Sequence, residues 1–531
     1  MINPRDMMMG LRFFSRLPVV LRKRLTLAEA SVVVAQRLER REECFLSNLR
    51  NSIFGYPRSP YLDLFSTAGC EYGDVEKLVH GEGVEGALKV LFHHGIYISV
   101  DEFKGRRPAV RGGKTIELGP DSLRNPCAAY HVPVVSGGSR GGGTPVFMDL
   151  AFVRGCAINS LFYLNAWGGR DWRKATWEVP GAGARFRLIK YACFGSPPGR
   201  WFSQIDPRDP TLDPVFRLNS WGMHIASYFS GVPIPRPIHT PLSNPQPLLK
   251  WSQQVIREGG VPHIFTFPSS AVAACKAAMN AGGNLEGARF TIGGEPITRA
   301  RLDSVRSAGA TALPRYGSME CGPIGYGCMK PVEADEVHLL NDLHALIQAG
   351  PEGKAFGFPE TGLLITALHP RSPFVLLNVS MGDEASLSPR SCGCPLEKLG
   401  WHVHLHTIRS YEKLTSGGMT FFGSDVIPLL EVVLPERFGG GPTDYQLLEE
   451  EGPDGKAAVK LLVNPSVGDV DFEQARTVFL ESLAASSAVN QVMIRLWKES
   501  DVLTVERRRP QQTRAGKILH FHIDQRRSFP T

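Results

Sequence analysis

Apolar residues recur every three or four positions in the first part of the chain, which is the spacing that buries one face of a helix. The pattern runs from Leu25 to Leu49 and again from Val75 to Leu91. We therefore predict that residues 26–94 are mostly helical. A short β-like run, Ile96–Val100, follows them.

Further along, short apolar runs alternate with helical spacing. Such runs occupy Pro262–Phe267, Arg289–Ile292 and Thr311–Tyr316, and turn residues bound each of them. This alternation is typical of a layered α/β domain. An earlier run, Val132–Val135, leads into a glycine-rich stretch, and we predict a strand–loop–helix context there, in which a loop can hold phosphate.

A different pattern begins near residue 409. Strands are predicted at Asp444–Glu449, Ala458–Val463 and Val502–Arg507, with a helix at Phe472–Ala485. The predicted fold class is therefore α/β, with a large N-terminal domain of layered sheets and helices and a small α+β C-terminal domain. The predicted parts are a helical N-terminal extension at 1–120, packed on the large domain, the large domain at 121–408 and the small domain at 409–531.

Length and composition fit a large globular enzyme. A chain of 531 residues exceeds what one core usually holds, so at least two domains are expected. The 43% of hydrophobic and 21% of charged residues are ordinary globular values, so long disorder is not expected. No apolar run reaches the roughly eighteen residues of a membrane span. The basic start is followed by no cleavage site, and we expect a cytoplasmic protein.

Basic residues concentrate at the two ends of the chain, although the net charge is only +7. A basic amphipathic N-terminus can touch a membrane surface or a nucleic acid. We favour a solvated helix face, because no zinc-finger, helix-turn-helix or RNP-type pattern accompanies the charges. No nucleic-acid partner is therefore expected.

Four short motifs suggest chemistry when they are taken together. The glycine-rich stretch Ser136–Thr144 precedes Tyr316–Glu320 (Tyr-Gly-Ser-Met-Glu), Met381–Asp383 (Met-Gly-Asp) and Thr513–Lys517 (Thr-Arg-Ala-Gly-Lys). Glycines let backbone N–H groups turn toward an anion, and hydroxyl groups add donors. In this order and at this separation the motifs resemble those of the adenylate-forming superfamily of acyl-CoA synthetases and adenylation domains, and above all its phenylacetate-CoA ligase-like branch.

The resemblance implies that the glycine-rich loop closes over the β- and γ-phosphates of ATP. The loop departs from the family pattern in its extra glycines and in Val146 after Pro145, where the family often has a lysine, and Arg140 can supply that charge. A turn before the tyrosine motif resembles the family's adenine-side turn. The implied nucleotide-binding residues in these two segments are Ser136, Gly137, Gly138, Ser139, Arg140 and Thr144, and then Gly293, Gly294, Glu295 and Pro296.

The tyrosine motif would serve the nucleotide and its metal. The resemblance implies that Tyr316, with Gly317 beside it, stacks on adenine and that Ser318 contacts a phosphate or acyl oxygen. Glu320 would hold Mg²⁺, since a carboxylate suits a hard cation that bridges phosphates.

The two later motifs would complete the site. By the same resemblance Asp383 accepts hydrogen bonds from both ribose hydroxyls, and Arg409 contacts the same ribose. Lys517 would reach the α-phosphate and offset the charge of the transition state. The family hinge between the domains corresponds to Arg409–Tyr411, and Tyr411 departs from the acidic or lysine residue usual there.

Ten cysteines without a dense disulfide pattern indicate a reducing compartment. Cys328, His338, Cys392 and Cys394 suit tetrahedral structural zinc in type and number, and members of the phenylacetate-CoA ligase-like branch have such a site. Ordinary buried thiols are the alternative. The run His402–His406 places three histidines on one face of a predicted strand, and we favour a solvated edge there.

The resulting hypothesis is an AMP-forming ligase that uses ATP and Mg²⁺ to activate a carboxylic acid, with CoA or a carrier thiol as acceptor. The aromatic stretch from Trp201 to Leu248 is expected to line an aryl or extended acyl pocket, and core packing is its open alternative. Two rival functions stay open. One is activation of nitrite or formation of an amide without CoA, and the other is a nucleotide-binding protein that has lost catalysis.

Overall fold

The computed structural model describes residues 4–129, 132–135, 144–179, 181–208, 214–411, 414–416, 419–421, 423–451, 457–486, 503–513 and 516–523. The helices of these residues are α1 Pro4–Arg22, α2 Leu27–Glu39, α3 Arg41–Leu49, α4 Tyr61–Thr67, α5 Tyr72–His93, α6 Val100–Phe103, α7 Leu150–Ala166, α8 Ala182–Ala192, α9 Pro214–Tyr228, α10 Gln246–Arg257, α11 Pro268–Asn280, α12 Arg299–Ser307, α13 Gly423–Pro428, α14 Leu434–Phe438 and α15 Phe472–Ser486.

The strands are β1 Ala109–Arg111, β2 Lys114–Ile116, β3 Val132–Val135, β4 Pro145–Met148, β5 Arg173–Glu178, β6 Arg200–Ser203, β7 Pro237–His239, β8 Pro262–Thr266, β9 Arg289–Ile292, β10 Thr311–Ser318, β11 Gly322–Gly327, β12 Val337–Leu339, β13 His344–Gln348, β14 Leu363–Ala367, β15 Asp383–Pro389, β16 Val403–Ser410, β17 Leu414–Ser416, β18 Met419–Phe421, β19 Tyr445–Glu451, β20 Ala457–Val463, β21 Leu503–Arg507 and β22 Phe521–Ile523.

A ten-stranded sheet in the order β15-β16-β12-β11-β10-β9-β8-β5-β6-β7 organises most of the chain. The strands from β7 to β10 are parallel, and those from β10 to β15 are antiparallel. Helices separate the parallel strands, because a parallel pair needs a crossover connection. The mixed α/β fold is therefore confirmed, including the three strands predicted between residues 262 and 316.

Helices cover both faces of the parallel half. Trp177 of β5 and Phe290 of β9 point into a buried cluster that also holds residues of α10, α11 and α12. On the opposite face lies α7, whose Tyr163 ring stacks on Tyr326 of β11 with ring centroids 4.5 Å apart. Because side chains alternate along a strand, β6 contributes Phe202 to the first of these clusters and Trp201 to the main cluster on the opposite face.

The N-terminal helices pack against this sheet and confirm the helical prediction for residues 26–94. Phe13, Leu17 and Leu21 of α1 are buried in the main cluster. Thr26 caps α2 through a capping box with Glu29, which is typically worth about 1 kcal/mol. In the described part of the chain no helix is both long enough and apolar enough to cross a membrane.

Two local predictions were wrong. Residues 96–100 contribute only one isolated bridge, from Ile98 to Val379, instead of a strand. The glycine-rich stretch joins two antiparallel strands instead of a strand and a helix, since Val135 of β3 pairs with Pro145 of β4. Helix α7 begins only after Asp149, whose carboxylate accepts from the Ala151 N–H. The residues after the loop alternate between buried and less buried positions, as an extended chain does.

A second sheet, in the order β21-β20-β19-β22, lies in the C-terminal part. It shares a separate apolar cluster with α15, in which Leu447, Leu461 and Phe479 are fully buried. The predicted helix and three strands are present there. Strand β22 was not predicted, because three residues carry too little periodicity to signal a strand.

Candidate functional site

Several of the predicted residues gather where β5, β8, β9 and β10 end. In open α/β sheets this carboxyl edge of the parallel strands is the usual ligand site. Gly293 and Gly294 form the turn after β9. A Cβ atom on Gly293 would lie 2.5 Å from the Arg315 carbonyl oxygen, and Gly294 has a φ of +84°. The turn therefore depends on glycine for its close approach to β10.

Tyr316 and Asp383 meet at this edge although 67 positions separate them in the sequence. The Tyr316 hydroxyl donates to the Asp383 carboxylate over 2.8 Å. Burial and then the neighbouring Asp383 charge raise the pKa of Tyr316 well above its usual value, so the phenol stays protonated and donates. Asp383 is thereby held in one orientation beside the aromatic ring.

Ser318 and Glu320 occupy the turn from β10 to β11. The Ser318 hydroxyl oxygen accepts from the Cys321 N–H at 3.1 Å, which fixes the turn. Glu320 follows β10 and is 9% exposed. Its carboxylate and that of Asp383 both act on the pKa of Lys517, so the three charged groups share one site.

Lys517 reaches the site from the far C-terminal part. Its ammonium lies 5.9 Å from the centre of the Phe267 ring, and a Cβ on Gly294 would be 3.5 Å from its Nζ. Burial lowers its pKa, while the carboxylates of Glu295, Glu320 and Asp383 oppose that effect. Residues from widely separated segments thus converge on one cation.

Gly516 allows this approach. Its φ is +81°, and a Cβ there would lie 2.4 Å from the Gln204 Oε1 atom and 2.6 Å from the Val179 Cγ2 atom. Gln204 and Val179 follow β6 and β5. A side chain at position 516 would therefore push the lysine away from the strand ends.

Glu295 serves mainly to hold the lysine segment. Its carboxylate accepts from the Ser269 N–H at 2.9 Å and the Ser269 hydroxyl at 2.8 Å, and pairs with Arg301 at 2.8 Å. It also accepts from the Ile518 N–H at 2.9 Å, next to Lys517. These partners occupy the carboxylate, which leaves only the Glu295 backbone for a nucleotide.

A buried ion network extends this contact into the C-terminal part. Arg301 donates to Glu431 over 2.6 Å, and His520 lies 2.6 Å from the same carboxylate oxygen. Although burial opposes ionisation, Arg301 and His520 lower the pKa of Glu431 to about 2. The network links α12 to residues just beyond Lys517 and fixes the lysine segment against the sheet.

We expect Glu431→Gln to destabilise the protein by roughly 3–5 kcal/mol at pH 7, because it leaves Arg301 buried without its full charge partner. The folded-state pKa lies below the ordinary 4.5, so the carboxylate's contribution is complete above about pH 4.5 and falls as the pH drops toward 2. Denaturant unfolding at pH 7 and pH 3.5 measures it. Glu436→Gln, at an exposed site, is the matched control. A difference between Glu431→Gln and wild type that stays constant down to pH 3.5 would contradict this assignment.

The structure does not bring Arg409 to Asp383. Asp383 pairs with Ser410 across the strands and Arg409 pairs with Glu384, so Arg409 and Asp383 face opposite sides of the sheet. The Arg409 guanidinium donates to Asp335 at 2.9 Å. The Tyr411 hydroxyl lies 2.6 Å from the Ser380 hydroxyl, so the expected hinge position is bonded to the segment before Asp383.

The aromatic stretch expected to line the acid pocket lies elsewhere. Trp201 is fully buried in the main apolar cluster, on β6. Trp221, Tyr228 and Phe229 are 54%, 69% and 66% exposed. These aromatic side chains therefore belong to the core or the outer surface, which removes the observation that favoured an aryl acid. Within the glycine-rich loop, Ser136, Gly137, Gly138, Ser139 and Arg140 lie outside the described residues, and Thr144 is buried beside β4.

Three basic side chains near the site were missed from the sequence; Arg187 and Lys190 are buried, and Arg315 is partly exposed. Arg187 and Lys190 lie on α8, and Arg315 precedes Tyr316 on β10. Arg187 pairs with Glu178 at the end of β5, in a bidentate ion pair. The available signal was a run of basic residues in the otherwise apolar segment Ala182–Ala192.

Cys328, His338, Cys392 and Cys394 come together as predicted, at the antiparallel end of the sheet. Their four ligand atoms lie within 4.8 Å of one another. The Cys394 Sγ atom is 3.1 Å from the His338 Nε2 atom, and the Cys392 Sγ atom is 3.7 Å from it. A tetrahedral zinc site with Zn–S bonds of about 2.3 Å places its sulfur atoms about 3.8 Å apart. Gly393 has a φ of +64°, which turns both neighbouring thiols to one side.

The chemistry of this donor set fits zinc. His338 Nδ1 donates to the Trp401 carbonyl over 2.7 Å, which leaves Nε2 as the free donor atom. Burial lowers the pKa of His338 to about 4, so the ring is neutral at physiological pH. Burial raises the pKa of the Cys328 thiol to about 12, an effect that a bound cation reverses.

The prediction of a solvated histidine edge was wrong for His404. β16 is an inner strand of the sheet, and His404 is 1% exposed. Its ring centre lies 4.1 Å from that of His338, and its Nδ1 is bonded to Glu336 at 2.6 Å. His404 therefore packs against His338 beside the thiol cluster, while His402 remains exposed.

No protein-family model and no curated protein sequence matches the chain. Among solved structures, the chain is similar to 2-hydroxyisobutyryl-CoA ligase in complex with 2-HIB-AMP and CoA, over 95% of this chain and 92% of that one, with 14% identity and a TM-score of 0.44. It is similar to o-succinylbenzoate coenzyme A synthetase from Bacillus subtilis in complex with ATP and magnesium ion, over 74% and 70%, with 11% identity and a TM-score of 0.40. It is also similar to amide bond synthetase McbA from Marinactinospora thermotolerans, over 77% and 70%, with 14% identity and a TM-score of 0.37.

Proposed function

We propose that this protein is an AMP-forming ligase of the adenylate-forming superfamily, which activates a carboxylic acid as its acyl-adenylate and passes the acyl group to CoA or a carrier thiol. The observation that carries the proposal is the convergence of Tyr316, Glu320, Asp383 and Lys517 at one strand edge. The three motifs that contribute them are far apart in the sequence, and each resembles a motif that serves ATP in the superfamily.

The proposed roles follow from the chemistry of each group. The glycine turn and the Tyr316 ring bind adenine, and the Asp383 carboxylate accepts from the ribose hydroxyls. Glu320 holds the Mg²⁺ that accompanies ATP. Lys517 neutralises charge that develops at the α-phosphate when the acid attacks and pyrophosphate leaves. The Glu295 and Glu431 contacts hold residues 516–520 in the position that this first half-reaction needs.

The test is ATP–pyrophosphate exchange and AMP formation with a panel of carboxylic acids, with and without CoA. Exchange with an acid, followed by AMP release that depends on CoA, supports the proposal. AMP formation that depends on nitrite or on an amine instead assigns one of the two rival reactions. Tight ATP binding without exchange for any acid would leave a nucleotide-binding protein and reject the ligase.

Glu320→Gln should raise the Mg²⁺ concentration needed for half-maximal exchange by roughly tenfold or more, because a neutral amide is a poorer ligand for a hard cation than a carboxylate. Magnesium titration of the exchange rate measures this. Glu333→Gln, at an exposed position beyond β11, is the control and should behave as wild type. An unchanged magnesium requirement in Glu320→Gln would remove this residue from the metal site.

We also propose a structural zinc ion at Cys328, His338, Cys392 and Cys394. The close packing of the four ligand atoms supports it, and so does the Trp401 carbonyl that sets the His338 tautomer. Such a site favours the phenylacetate-CoA ligase-like branch of the superfamily. With four protein ligands the ion would have no open position, so its contribution would be to folding.

We further propose that the chain divides into the N-terminal extension 1–120, the large domain 121–408 and a mobile small domain 409–531 that carries Lys517.

A further inference from the structure

The missed basic residues form a cluster beside the proposed adenylation site. Arg315 of β10 and Tyr326 of β11 are directly opposite each other across the two strands, so their side chains share one face of the sheet. Lys190 of α8 packs on that face, and its ammonium donates to the Tyr326 hydroxyl over 3.0 Å. Arg187 stands three positions before Lys190 on α8, so both side chains lie on one face of that helix.

Among the described residues these basic side chains pair with a single carboxylate, that of Glu178. Glu178 is bound to Arg187 through both of its oxygens, and both side chains are buried. Lys190 is 2% exposed; its ammonium contacts the Tyr326 hydroxyl and lies 5.5 to 5.7 Å from the centres of three aromatic rings. Within the described residues the Arg315 guanidinium has no hydrogen bond or ion pair. Burial lowers the pKa of Lys190 well below its ordinary value, because an unpaired charge is costly to bury, and a bound anion would favour its charged form.

Arg315 lies close to Lys517 as well as to Lys190. Arg315 acts on the pKa of Lys517 and also on that of Lys190, whereas Lys190 is absent from the main influences on Lys517. The Arg315 side chain also borders the glycine turn beside Lys517, since a Cβ on Gly293 would lie 2.8 Å from its Cγ atom and a Cβ on Gly294 would lie 3.5 Å from the Lys517 Nζ atom. Burial, followed by Arg187, lowers the pKa of Arg315 to about 10, which marks how little opposite charge surrounds it.

The polar groups around Lys190 are arranged to present hydrogen-bond donors. Ser160 donates to the Cys156 carbonyl at 3.1 Å and lies 2.5 Å from the Tyr326 hydroxyl. Tyr326 therefore donates to Ser160 and accepts from Lys190, and no second acceptor for Lys190 lies among the described residues. The Tyr163 and Tyr326 rings form an apolar wall beside them. A chain with an apolar middle and an anionic end matches this lining.

We propose that the activated acid carries a second carboxylate, which Arg315 and Lys190 bind while the first carboxylate reacts beside Lys517. This inference rests on the proposed function and narrows its substrate to dicarboxylic acids. The ionised second carboxylate supplies a charge partner that the described residues do not give Arg315 and Lys190. A monocarboxylic acid of equal length lacks this partner. Discrimination would therefore come from buried polar groups that only the correct acid satisfies.

The test compares matched acids that differ only in the second carboxylate: glutarate with pentanoate, adipate with hexanoate, and homophthalate with phenylacetate. We expect at least one diacid to exceed its partner by tenfold or more in kcat/KM for pyrophosphate release. Arg315→Gln and Lys190→Met should each lower the ratio of diacid to monoacid kcat/KM by roughly ten- to a hundredfold, the scale for a lost charge-assisted hydrogen bond. Arg315→Lys should recover part of the ratio, and the exposed Arg299→Gln is the matched control.

Direct binding separates failure of this inference from failure of the ligase. Calorimetric titration of the same diacids into wild type and Arg315→Gln needs no turnover, and thermal unfolding verifies that the variants fold. Diacid binding that Arg315→Gln abolishes, without AMP formation, keeps the inference and rejects the ligase. Equal turnover of monoacids and diacids, unchanged by Arg315→Gln, keeps the ligase and overturns the inference. A rise in the KM for ATP with every acid would assign Arg315 to the nucleotide phosphates and also overturn it.

Discussion

Lys517→Ala should lower acyl-adenylate formation by roughly 10²–10³-fold, the scale for loss of one transition-state donor in a water-poor site. The Lys517 ammonium is held among the carboxylates of Glu295, Glu320 and Asp383, next to the Gly294 turn. Alanine removes the cation but leaves the adenine and ribose contacts in place, so the affinity for ATP should change little. ATP–pyrophosphate exchange measures the first quantity, and equilibrium binding of ATP measures the second.

Two further variants make this result specific. Lys354→Ala removes an exposed lysine of equal size and should exchange pyrophosphate as wild type does. Gly516→Ala keeps the lysine but inserts a Cβ where Gln204 and Val179 leave no room, and should cause a loss in the same direction as Lys517→Ala. If thioester formation follows adenylation, Lys517→Ala should still convert a supplied acyl-adenylate. Full exchange activity in Lys517→Ala would reject the assignment.

Local sequence signals predicted the elements that depend on local physics. The helices between residues 26 and 94 and the strands β8, β9 and β10 follow from periodicity, since each element buries one or both faces. Glycines at 294 and 516 stand where the backbone has a positive φ and a neighbour close by. The four residues proposed as zinc ligands also converge, because a Cys-Gly-Cys turn places two thiols together whatever surrounds it.

The errors occurred where a distant partner decides the outcome. Arg301 binds the Glu431 carboxylate, and the Glu295 carboxylate accepts from the Ile518 N–H; both partners are more than 120 positions away. No sign in the sequence therefore marked Glu295 as a structural contact. Arg409 turns away from Asp383 because of the strand register, which depends on the partner strand. The cluster of Arg187, Lys190 and Arg315 depends on the packing of α8 against β10 and β11, and Lys190 contacts Tyr326, which is 136 positions away in the sequence.

The aromatic stretch and the histidine run illustrate a third limit. In both segments the residue pattern is clear. The pattern predicts which side chains share one face of an element, but it does not determine whether solvent or another part of the protein covers that face. Trp201 entered the core while Trp221 stayed on the surface. His404 is buried because β12 and β15 flank its strand, which no property of residues 402–406 reveals. A periodic face therefore predicts an element more reliably than it predicts a pocket.

Purified protein should contain about one zinc ion per chain, and Cys392→Ser with Cys394→Ser should reduce this to a tenth of an equivalent or less. Two thiolates of the four ligands are then lost, and a hydroxyl is a poor zinc ligand. Structural zinc contributes directly to folding, so the double variant should also unfold at a temperature several degrees lower than wild type. Elemental analysis of protein purified without added metal and thermal unfolding measure the two effects.

The matched control is Cys44→Ser with Cys70→Ser, which alters two half-buried thiols outside the cluster and should keep both the zinc and the unfolding temperature. Treating wild type with a strong chelator should reproduce the loss of stability seen in Cys392→Ser with Cys394→Ser, and added zinc should restore it, because the donor atoms are already placed within 4.8 Å of one another. Wild-type protein without zinc would return the four residues to a cluster of buried thiols and a histidine. Zinc that survives in the double variant would instead move the ion toward the neighbouring Cys328, Glu336 and His404, which form a second set of converging donors.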